Sequence, residues 1–412
     1  MHQELVERRR WISEDSFLHA LNFCMLLPGP EAQQLAAYIG WKLHGIKGGV
    51  VAGVLFVAPG ALIVLGLSIL YAGYQEIAFV KALFFGIKAA VLAIVIEAVV
   101  RIGRRALKNA VMYGVAAIAF IAIFLFRIPF PLVILGAALI GLVGGRLTPA
   151  RFVVIGRHGM PQSATESAPA MAPRTPVRNF RLVLICLLLW FLPTILLAYF
   201  LGSQHVYTQE GMFFSKMAVV TFGGAYAVLA YVSQQAVDYY GWLAPGEMLD
   251  GLGLAETTPG PLILVVQFVG FLAAYRNPGL LDPLLAGTLG ALLTTWVTFV
   301  PCFLWIFLGA PFIERLHSRR TLSAGLSAVT AAVVGVVLNL AVWFGLHVLF
   351  TEIGERQRFG VSIYVPDWNS LDVAALLLAA GALVAMLRFK APMMATLFSC
   401  AILGMGVELW RH

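Results

Sequence analysis

Two Pro-Gly-Pro triplets, at residues 28–30 and 259–261, interrupt apolar stretches that otherwise favour continuous helix. A helix that restarts after such a break presents free backbone N–H groups and the positive end of its dipole, which together suit an anion. Proline loses nothing at a first helical turn, and glycine lets the backbone approach a ligand closely. The triplets therefore predict an anion site, and the alternative is a pair of proline kinks that only shape packing.

Polar side chains lie beside both triplets. Gln34 and Thr258 are neutral hydrogen-bonding groups, which suit a tetrahedral oxyanion that a carrier must also release. Glu31 follows the first triplet and Glu256 precedes the second. A carboxylate in either place is a candidate proton-coupled gate that repels the anion when ionised. Equally, it is a candidate to hydrogen-bond the freed N–H groups and hold the break open.

Two ionisable residues lie within the apolar segment 81–100. Such groups cost several kcal/mol in a bilayer, so they are retained where they pair or act. Lys88 is a candidate to attract a dianion, and the alternative is an interhelical salt bridge. Glu97 is a candidate proton carrier, and the alternative is an ion pair with Arg101 one turn further on.

A Gly-Gly pair in another apolar segment, preceded by phenylalanine, completes the candidate site. The candidate substrate-binding residues are Pro28, Gly29, Pro30, Gln34, Lys88, Phe222, Gly223, Gly224, Thr258, Pro259, Gly260 and Pro261. The proton-coupling candidates are Glu31, Glu97 and Glu256. The histidines are isolated, so neither a metal site nor a cofactor is predicted.

The sequence carries none of the common catalytic motifs. It has no Gly-x-Ser-x-Gly, His-Glu-x-x-His or phosphate-binding loop, so neither an enzyme nor an ATP-driven pump is predicted. An ion gradient remains as the energy source. The net charge of +8 does not indicate nucleic-acid binding, because the basic residues are spread over loops between apolar segments.

The composition indicates which elements position these residues. Of 412 residues, 60% are hydrophobic and 12% are charged, which predicts an all-α polytopic membrane protein with about 12 transmembrane segments. The segments are 16–43, 48–73, 81–100, 111–127, 131–146, 181–201, 213–235, 247–275, 283–310, 322–349, 371–388 and 391–409. The four cysteines lie far apart within these segments and are interpreted as small buried hydrophobic residues.

The two halves of the chain are copies. At one constant offset Gln3 aligns with Gln234 and the two triplets coincide; at a second offset Pro59 aligns with Pro301. We predict an N-terminal membrane repeat at 1–146, a Pro- and Ser-rich cytoplasmic linker at 147–180, and a C-terminal repeat with one extra leading helix at 181–412.

One segment of the second half has no partner in the first. The first-half equivalent of Phe-Gly-Gly at 222–224 would precede residue 1. We expect the coding sequence upstream of Met1 to encode an apolar helix with Phe-Gly-Gly, and the alternative is a shortened protein.

Basic residues predict the orientation. If each apolar segment crosses once, the basic stretches at 101–108, in the linker, at 314–320 and at 388–390 share one side, which is then cytoplasmic. The two halves are then inverted, an arrangement typical of secondary transporters with broken helices. The run "ERRR" at 7–10 disagrees, because it falls on the external side.

Three stretches carry a family resemblance. "FGGAYAVLAYVSQQAV", "GLAETTPGPLILVVQFVGF" and "LLPGPEAQQLAAYIGW" closely resemble the chromate transporter family in its long, two-domain bacterial form. The resemblance covers nearly the whole chain apart from the linker. It implies a multi-pass bacterial inner-membrane carrier that exports chromate through the lipid bilayer. We predict that export confers chromate resistance and is coupled to protons, although the coupling ion stays open at this stage.

Several alternatives stay open at this stage. Chromate is similar to sulfate in shape and charge, so a carrier for sulfate or another oxyanion is the first alternative. An anion channel or a scaffold without active transport is the second. The oligomeric state is also open, with a homodimer as one alternative.

Overall fold

The computed structural model describes residues 1–25, 27–152, 176–222, 224–309, 320–358 and 361–411. The helices are α1 (Glu14–Cys24), α2 (Glu31–Tyr74), α3 (Ala78–Ala106), α4 (Ala110–Phe124), α5 (Phe130–Leu147), α6 (Pro149–Phe152), α7 (Pro176–Leu201), α8 (Val206–Val220), α9 (Ala225–Gln234), α10 (Pro245–Thr257), α11 (Val265–Arg276), α12 (Pro283–Gly309), α13 (Arg320–Leu349), α14 (Val373–Phe389) and α15 (Met393–Arg411). Strands β1 (Ile353–Arg358) and β2 (Val361–Pro366) pair antiparallel. Most of the predicted linker, the basic loop 314–320 and Gly223 lie partly or wholly outside the described residues.

The predicted fold class is confirmed. Seven helices are long and apolar enough to cross a membrane. The outer surfaces of α5 and α7 are covered with exposed leucines, as expected for helices that face lipid rather than water. All four cysteines are free and buried, which agrees with their interpretation as small hydrophobic residues.

The repeat is visible in local structure as well as in sequence. Short π-helical turns occur at Gln3–Arg8 and Gln235–Tyr239, positions that the first alignment offset superimposes. A π-turn is rare, so its recurrence at equivalent places supports the duplication.

Helix α2 consists of two antiparallel helices that are joined directly by a sharp turn. His44 and Gly45 have non-helical dihedral angles, with φ of 66° at Gly45. Residues 31–43 (α2a) fold back along residues 46–74 (α2b). The close approach is seen at Gly49, where an added Cβ atom would lie 3.0 Å from the carbonyl oxygen of Ala37. In the second half, α11 and α12 form the equivalent antiparallel pair.

The prediction that each broken segment crosses the membrane once is wrong. Arg276 at the end of α11 donates to Glu247 at 2.8 Å near the start of α10, so both ends of the segment 247–275 lie together. Lys42 donates to Ser16 at 2.9 Å, which joins the two ends of the segment 16–43. A straight helix of such a length would separate these ends by roughly 40 Å.

A third hairpin contains the Phe-Gly-Gly break. The rings of Phe213 on α8 and Tyr231 on α9 lie 5.5 Å apart, although 18 residues of straight helix would span about 27 Å. The pairs α1–α2a, α8–α9 and α10–α11 are therefore three helical hairpins. Among the described residues, their tips comprise 25 and 27–30, 221–222 and 224, and 258–261, and each tip is one of the predicted breaks.

The hairpins correct the position of the first basic run. Helix α3 ends at Ala106, at the face of the protein that carries residues 101–108, here called the basic face. Because α2b and α3 are antiparallel neighbours in sequence, α2b begins at the basic face, and so do both ends of the α1–α2a hairpin. Residues 7–10 therefore lie at the basic face with the other basic stretches, and the disagreement disappears.

The two repeats are inverted and interlocked. Helix α2b runs away from the basic face, whereas its copy α12 runs towards it from the end that Arg276 occupies. Helix α3 packs against α14 and α15 of the second repeat, and its copy α13 packs against α4 and α5 of the first. The core lies where α3 and α13 pack against the helices of the other repeat, and residues 89–95 of α3 are all buried.

The β-hairpin lies at the face opposite the basic one. The backbone N–H of Ser362 donates to the carbonyl oxygen of Leu125 at 2.9 Å, and Arg127 pairs with Glu355 at 2.6 Å. These contacts tie the α4–α5 turn to the connection between α13 and α14. The ends of four helices are thereby held together at this face.

Candidate site at three hairpin tips

The first tip is bound to the third. Gly29 has a φ of 118°, a conformation that glycine adopts without strain, and its N–H donates to the carbonyl oxygen of Thr221 at 2.9 Å. The side-chain amide of Gln34 donates to the carbonyl oxygen of Pro28 at 2.7 Å and stabilises the turn. The N–H of Gly29 is thus occupied by a protein acceptor. The first-turn N–H groups of α2a, which follow Pro30, remain as the donors for an anion.

The second tip is more open. Pro259 and Gly260 are exposed, and Gly260 has a φ of 142°. The hydroxyl of Thr258 donates back to the carbonyl oxygen of Ala255 at 2.9 Å, so its oxygen remains as an acceptor. Pro261 is buried and leads into a 3₁₀ turn at Leu262–Leu264 and then into α11.

Each Pro-Gly-Pro tip lies against the long helix of the other repeat. A Cβ atom on Gly29 would lie 2.9 Å from the sulfur of Cys302 on α12. A Cβ atom on Gly60 of α2b would lie 2.6 Å from the carbonyl oxygen of Pro259. Gly60 and Cys302 are equivalent, because each follows the helix proline that aligns the repeats. The two tips are therefore related by the inverted symmetry, close to the middle of the protein.

The third tip joins the other two. Tyr226, just after Gly224, donates its hydroxyl hydrogen to the carboxylate of Glu256, just before the second tip. Phe222 and Gly224 are partly exposed at this tip, and Gly224 has a φ of 99°. With the bond between Gly29 and Thr221, this contact brings the three predicted breaks into one region.

Three helix N-termini meet in this region. Helices α2a, α9 and α11 all begin at a tip and run away from it. Each contributes unpaired first-turn N–H groups and the positive end of a helix dipole. Helix N-termini of this kind are suited to an anion.

The predicted ionisable residues surround the tips without all touching them. Glu97 and Arg101 form an ion pair at 3.6 Å on α3, as the alternative for Glu97 anticipated. Glu31 is the first residue of α2a and is half-buried. Glu256 is held by Tyr226, which favours neither of its two predicted roles over the other.

Lys88 forms an interhelical ion pair that the sequence did not specify. Its ammonium lies 3.4 Å from a carboxylate oxygen of Asp250 on α10, and Tyr71 on α2b donates to the same oxygen at 2.8 Å. The Asp250 side chain is 4% exposed and the Lys88 side chain 31% exposed. The pair therefore joins the two repeats while leaving the ammonium partly accessible.

Sequence reasoning missed two buried acidic residues, Asp250 and Glu210 on α8. Asp250 lies in the predicted segment 247–275, so the rule that selected Glu97 would also have selected it, whereas Glu210 lies three residues before the predicted segment 213–235. Asp250 lies within the stretch that was interpreted as a broken helix, and Glu210 lies close to the start of a segment. Neither carries a motif of its own.

A polar cavity opens at the face opposite the basic one. It is lined by Ser233 and Gln234 at the end of α9, by Asn339 of α13, and by Arg127 and Tyr364 beside the β-hairpin. Asn339 is the repeat equivalent of Glu97. The cavity therefore lies beside the position in the second repeat that is equivalent to Glu97 in the first repeat.

A family profile described as chromate transporter matches residues 1–142 and 208–405, which cover most of both repeats. The chain belongs to the chromate transporter family. The match omits the linker and α7, and it includes all three hairpin tips.

Individual relatives agree with this assignment. The chain is 32% identical over 396 residues to a chromate transport protein of Pseudomonas aeruginosa, covering 92% of this chain and 85% of the relative. It is 26% identical over 347 residues to a chromate transport protein of Cupriavidus metallidurans, covering 83% and 76%. It is 28% identical to a probable chromate transport protein of Synechococcus elongatus, covering 90% and 84%. No solved structure matches the chain significantly.

Proposed function

We propose that this protein is a secondary carrier that exports chromate across the bacterial inner membrane and confers chromate resistance. The observation that carries the proposal is the meeting of three hairpin tips between two inverted repeats, in a member of the chromate transporter family. The dianion binds at the first-turn N–H groups of α2a and α11, and Lys88, which is paired with Asp250 on α10, is a candidate to attract it.

Hydrogen bonds to backbone N–H groups suit a carrier. A tetrahedral oxyanion accepts several of them at once, and neutral donors release it more readily than a cluster of fixed cations would. Alternating access follows from movement of the hairpins against α2b and α12, the helices on which the two Pro-Gly-Pro tips rest.

Proton coupling is assigned to the carboxyls beside the tips. Glu31 precedes the first-turn N–H groups of α2a, so an ionised Glu31 competes with a bound anion for them. Glu256 stands in the same relation to the second tip and is held by Tyr226. Protonation of either side chain removes a negative charge from the anion site. The electrostatic cost of binding chromate is thereby lowered.

Chromate uptake into inverted vesicles tests the proposal. We expect saturable uptake that responds to an imposed proton gradient and that excess sulfate inhibits only weakly. Stronger uptake of sulfate than of chromate would instead support a sulfate carrier, and non-saturable flux would support a channel. The basic face is taken as cytoplasmic in this assay, so inverted vesicles expose it to the added anion.

Gly260→Leu tests the position of the site, with Gly66→Leu as its matched control. Leucine at position 260 would impose a strained φ and fill the space beside the second tip, whereas a side chain at position 66 meets nothing within 4 Å. We expect Gly260→Leu to abolish flux while the protein remains monodisperse in size exclusion, and Gly66→Leu to leave both unchanged. If flux instead falls only in proportion to folded protein, the tips serve packing alone.

A further inference from the structure

Glu210 is the most completely buried carboxyl without a partner in the described part of the chain. Its side chain is 0% exposed, and neither carboxyl oxygen has a hydrogen-bond partner there. It lies one turn into α8, which leads to the third hairpin tip. An isolated carboxylate in such a place costs far more than a neutral carboxylic acid.

The space around Glu210 is created by glycines of the α11–α12 pair. A Cβ atom on Gly290 would lie 3.1 Å from a carboxyl oxygen of Glu210 and 2.5 Å from the carbonyl oxygen of Gly270. Thr208 and Thr294 are also buried, and their hydroxyl oxygens have no partner among the described residues. The position is therefore close-packed but supplied with small polar groups.

The elements packed against α8 supply no charge to neutralise Glu210. Helix α12 contains no Asp, Glu, Lys, Arg or His, and α9 contains only the tyrosines 226 and 231 as titratable groups. The single charged residue of α11 is Arg276, which is bound to Glu247 at the opposite face. The arginines of α7 are confined to its first turns, and Tyr207 of α8 donates its hydroxyl to the carbonyl oxygen of Ala286 at 3.1 Å.

We infer that Glu210 is a proton-binding site whose occupancy is linked to the position of the α8–α9 hairpin. In the packed arrangement seen here, the carboxyl must hold its proton to remain against Gly290 of α12. When the hairpin moves away from α11–α12, water reaches the carboxyl and the proton dissociates. Because a ligand can shift such an equilibrium only through unequal affinity for its two states, the proton stabilises the packed arrangement alone.

The hairpin connects this proton site to the anion site. Ten residues of α8 separate Glu210 from Thr221, whose carbonyl oxygen accepts a hydrogen bond from the N–H of Gly29 at the first tip. A shift of α8 therefore alters the first tip directly. The inference rests on the proposed carrier function. It adds a proton-coupling residue near the start of α8, which is the end of this helix farther from the tips.

Infrared spectroscopy of the purified full-length protein tests the proton site without any transport measurement. At neutral pH, we expect the C=O stretching band of a buried neutral carboxylic acid in the wild type and a loss of part of that band in Glu210→Gln. The matched control is Glu76→Gln, which changes an exposed residue paired with Lys81 and should leave the band intact. Identical bands in all three proteins would overturn the inference.

Transport then distinguishes this inference from the proposed function. Glu210→Gln keeps the shape and neutrality of the protonated acid, so we expect it to carry chromate down its own gradient but to lose the acceleration by a proton gradient. If Glu210→Gln does not fold, Glu210→Leu takes its place in both experiments. A variant that responds to the proton gradient like the wild type overturns the role of Glu210 and leaves the proposed carrier intact. A wild type that transports chromate without any proton response, but shows the band, refutes proton coupling and retains the proton site.

Discussion

At the scale of single residues, the two ionisable side chains predicted within the segment 81–100 are each paired, one across the repeats and one along its own helix. Lys88 binds Asp250 of the other repeat, whereas Glu97 binds Arg101 one turn away. Pairing explains how these charges are tolerated at depth, since removing one member leaves the other uncompensated. It does not by itself decide whether Lys88 also attracts the anion.

A double variant separates the two roles of Lys88. Lys88→Gln should lower the free energy of unfolding by about 2–3 kcal/mol, because Asp250 remains buried without its partner. Adding Asp250→Asn should restore most of that stability, as followed by the melting temperature in detergent. If Lys88 contacts chromate, the double variant should still show an apparent affinity weaker by about 1–3 kcal/mol. Recovery of affinity together with stability would restrict Lys88 to a structural role.

At the scale of elements, close helix contacts hold the interlocked repeats together. Gly86 of α3 packs against the backbone of Cys400 on α15, and Gly404 of α15 packs back against Gly86. Small residues allow such approach in a membrane, where packing replaces the hydrophobic effect between helices. The contact joins the first repeat to the last helix of the second.

Substitution of Gly86 tests this contact. Gly86→Ala places a Cβ atom on the carbonyl oxygen of Cys400, so the helices must separate and we expect a loss of about 1–3 kcal/mol in stability. Gly66→Ala, on the exposed side of α2b, should be neutral or slightly stabilising because alanine favours helix. Thermal unfolding of the two purified variants compares them, and equal melting temperatures would contradict the importance of the α3–α15 contact.

The start of α14 is sensitive to pH. Asp372 caps this helix through the N–H groups of Ala374 and Ala375 and pairs with Arg411 at 2.7 Å. The hydrogen bond from Arg411, followed by those from the two backbone N–H groups, lowers the pKa of the Asp372 carboxyl below its usual value. A lowered folded-state pKa means that the stabilisation is present above the unfolded-state value and is lost as pH falls through the folded-state value.

Asp372→Asn should therefore lower the melting temperature at neutral pH, with a cost of about 1 kcal/mol. The difference from the wild type should begin to shrink below about pH 4, where the carboxyl of the unfolded wild type becomes protonated, and should vanish once the folded-state carboxyl is protonated as well. Arg411→Gln should reproduce part of the neutral-pH loss. A difference that stays constant down to acidic pH would show that the charge of Asp372 contributes nothing.

At the scale of the whole molecule, hairpins rather than single crossings determine which loops share a face. The tip-forming segments begin and end together, so residues 7–10 join the other basic stretches at the basic face. Among the basic stretches that the structure describes, residues 7–10, 101–108 and 388–390 then lie on one side of the protein, and we predict that this side is cytoplasmic.

Cysteine labelling tests this topology. Tyr239→Cys and Leu280→Cys flank the α10–α11 hairpin, and both side chains are exposed in the wild type. A membrane-impermeant thiol reagent should label both variants in intact cells, whereas single crossings would leave position 239 protected. Arg10→Cys and Lys108→Cys should react only in inverted vesicles. The wild type serves as the blank, because its four cysteines are buried.

The sequence by itself determined the class, the duplication, the inversion and the three breaks. These depend on features that are local or periodic: apolar length, prolines at matching offsets and the distribution of basic loops. The four buried cysteines followed from the same reasoning. Local patterns suffice here because a membrane restricts spanning segments to helices of a narrow range of lengths.

Only the tertiary structure decided how the breaks are used. Two half-helices joined by Pro-Gly-Pro have the same hydropathy whether the chain crosses or turns back, and the choice depends on distant contacts such as Arg276 with Glu247. The partners of Lys88 and Gly29 come from the other repeat, so no spacing within one repeat could indicate them. The isolation of Glu210 is likewise a property of three packed helices, because a buried carboxyl is recognised by what surrounds it rather than by its neighbours in sequence.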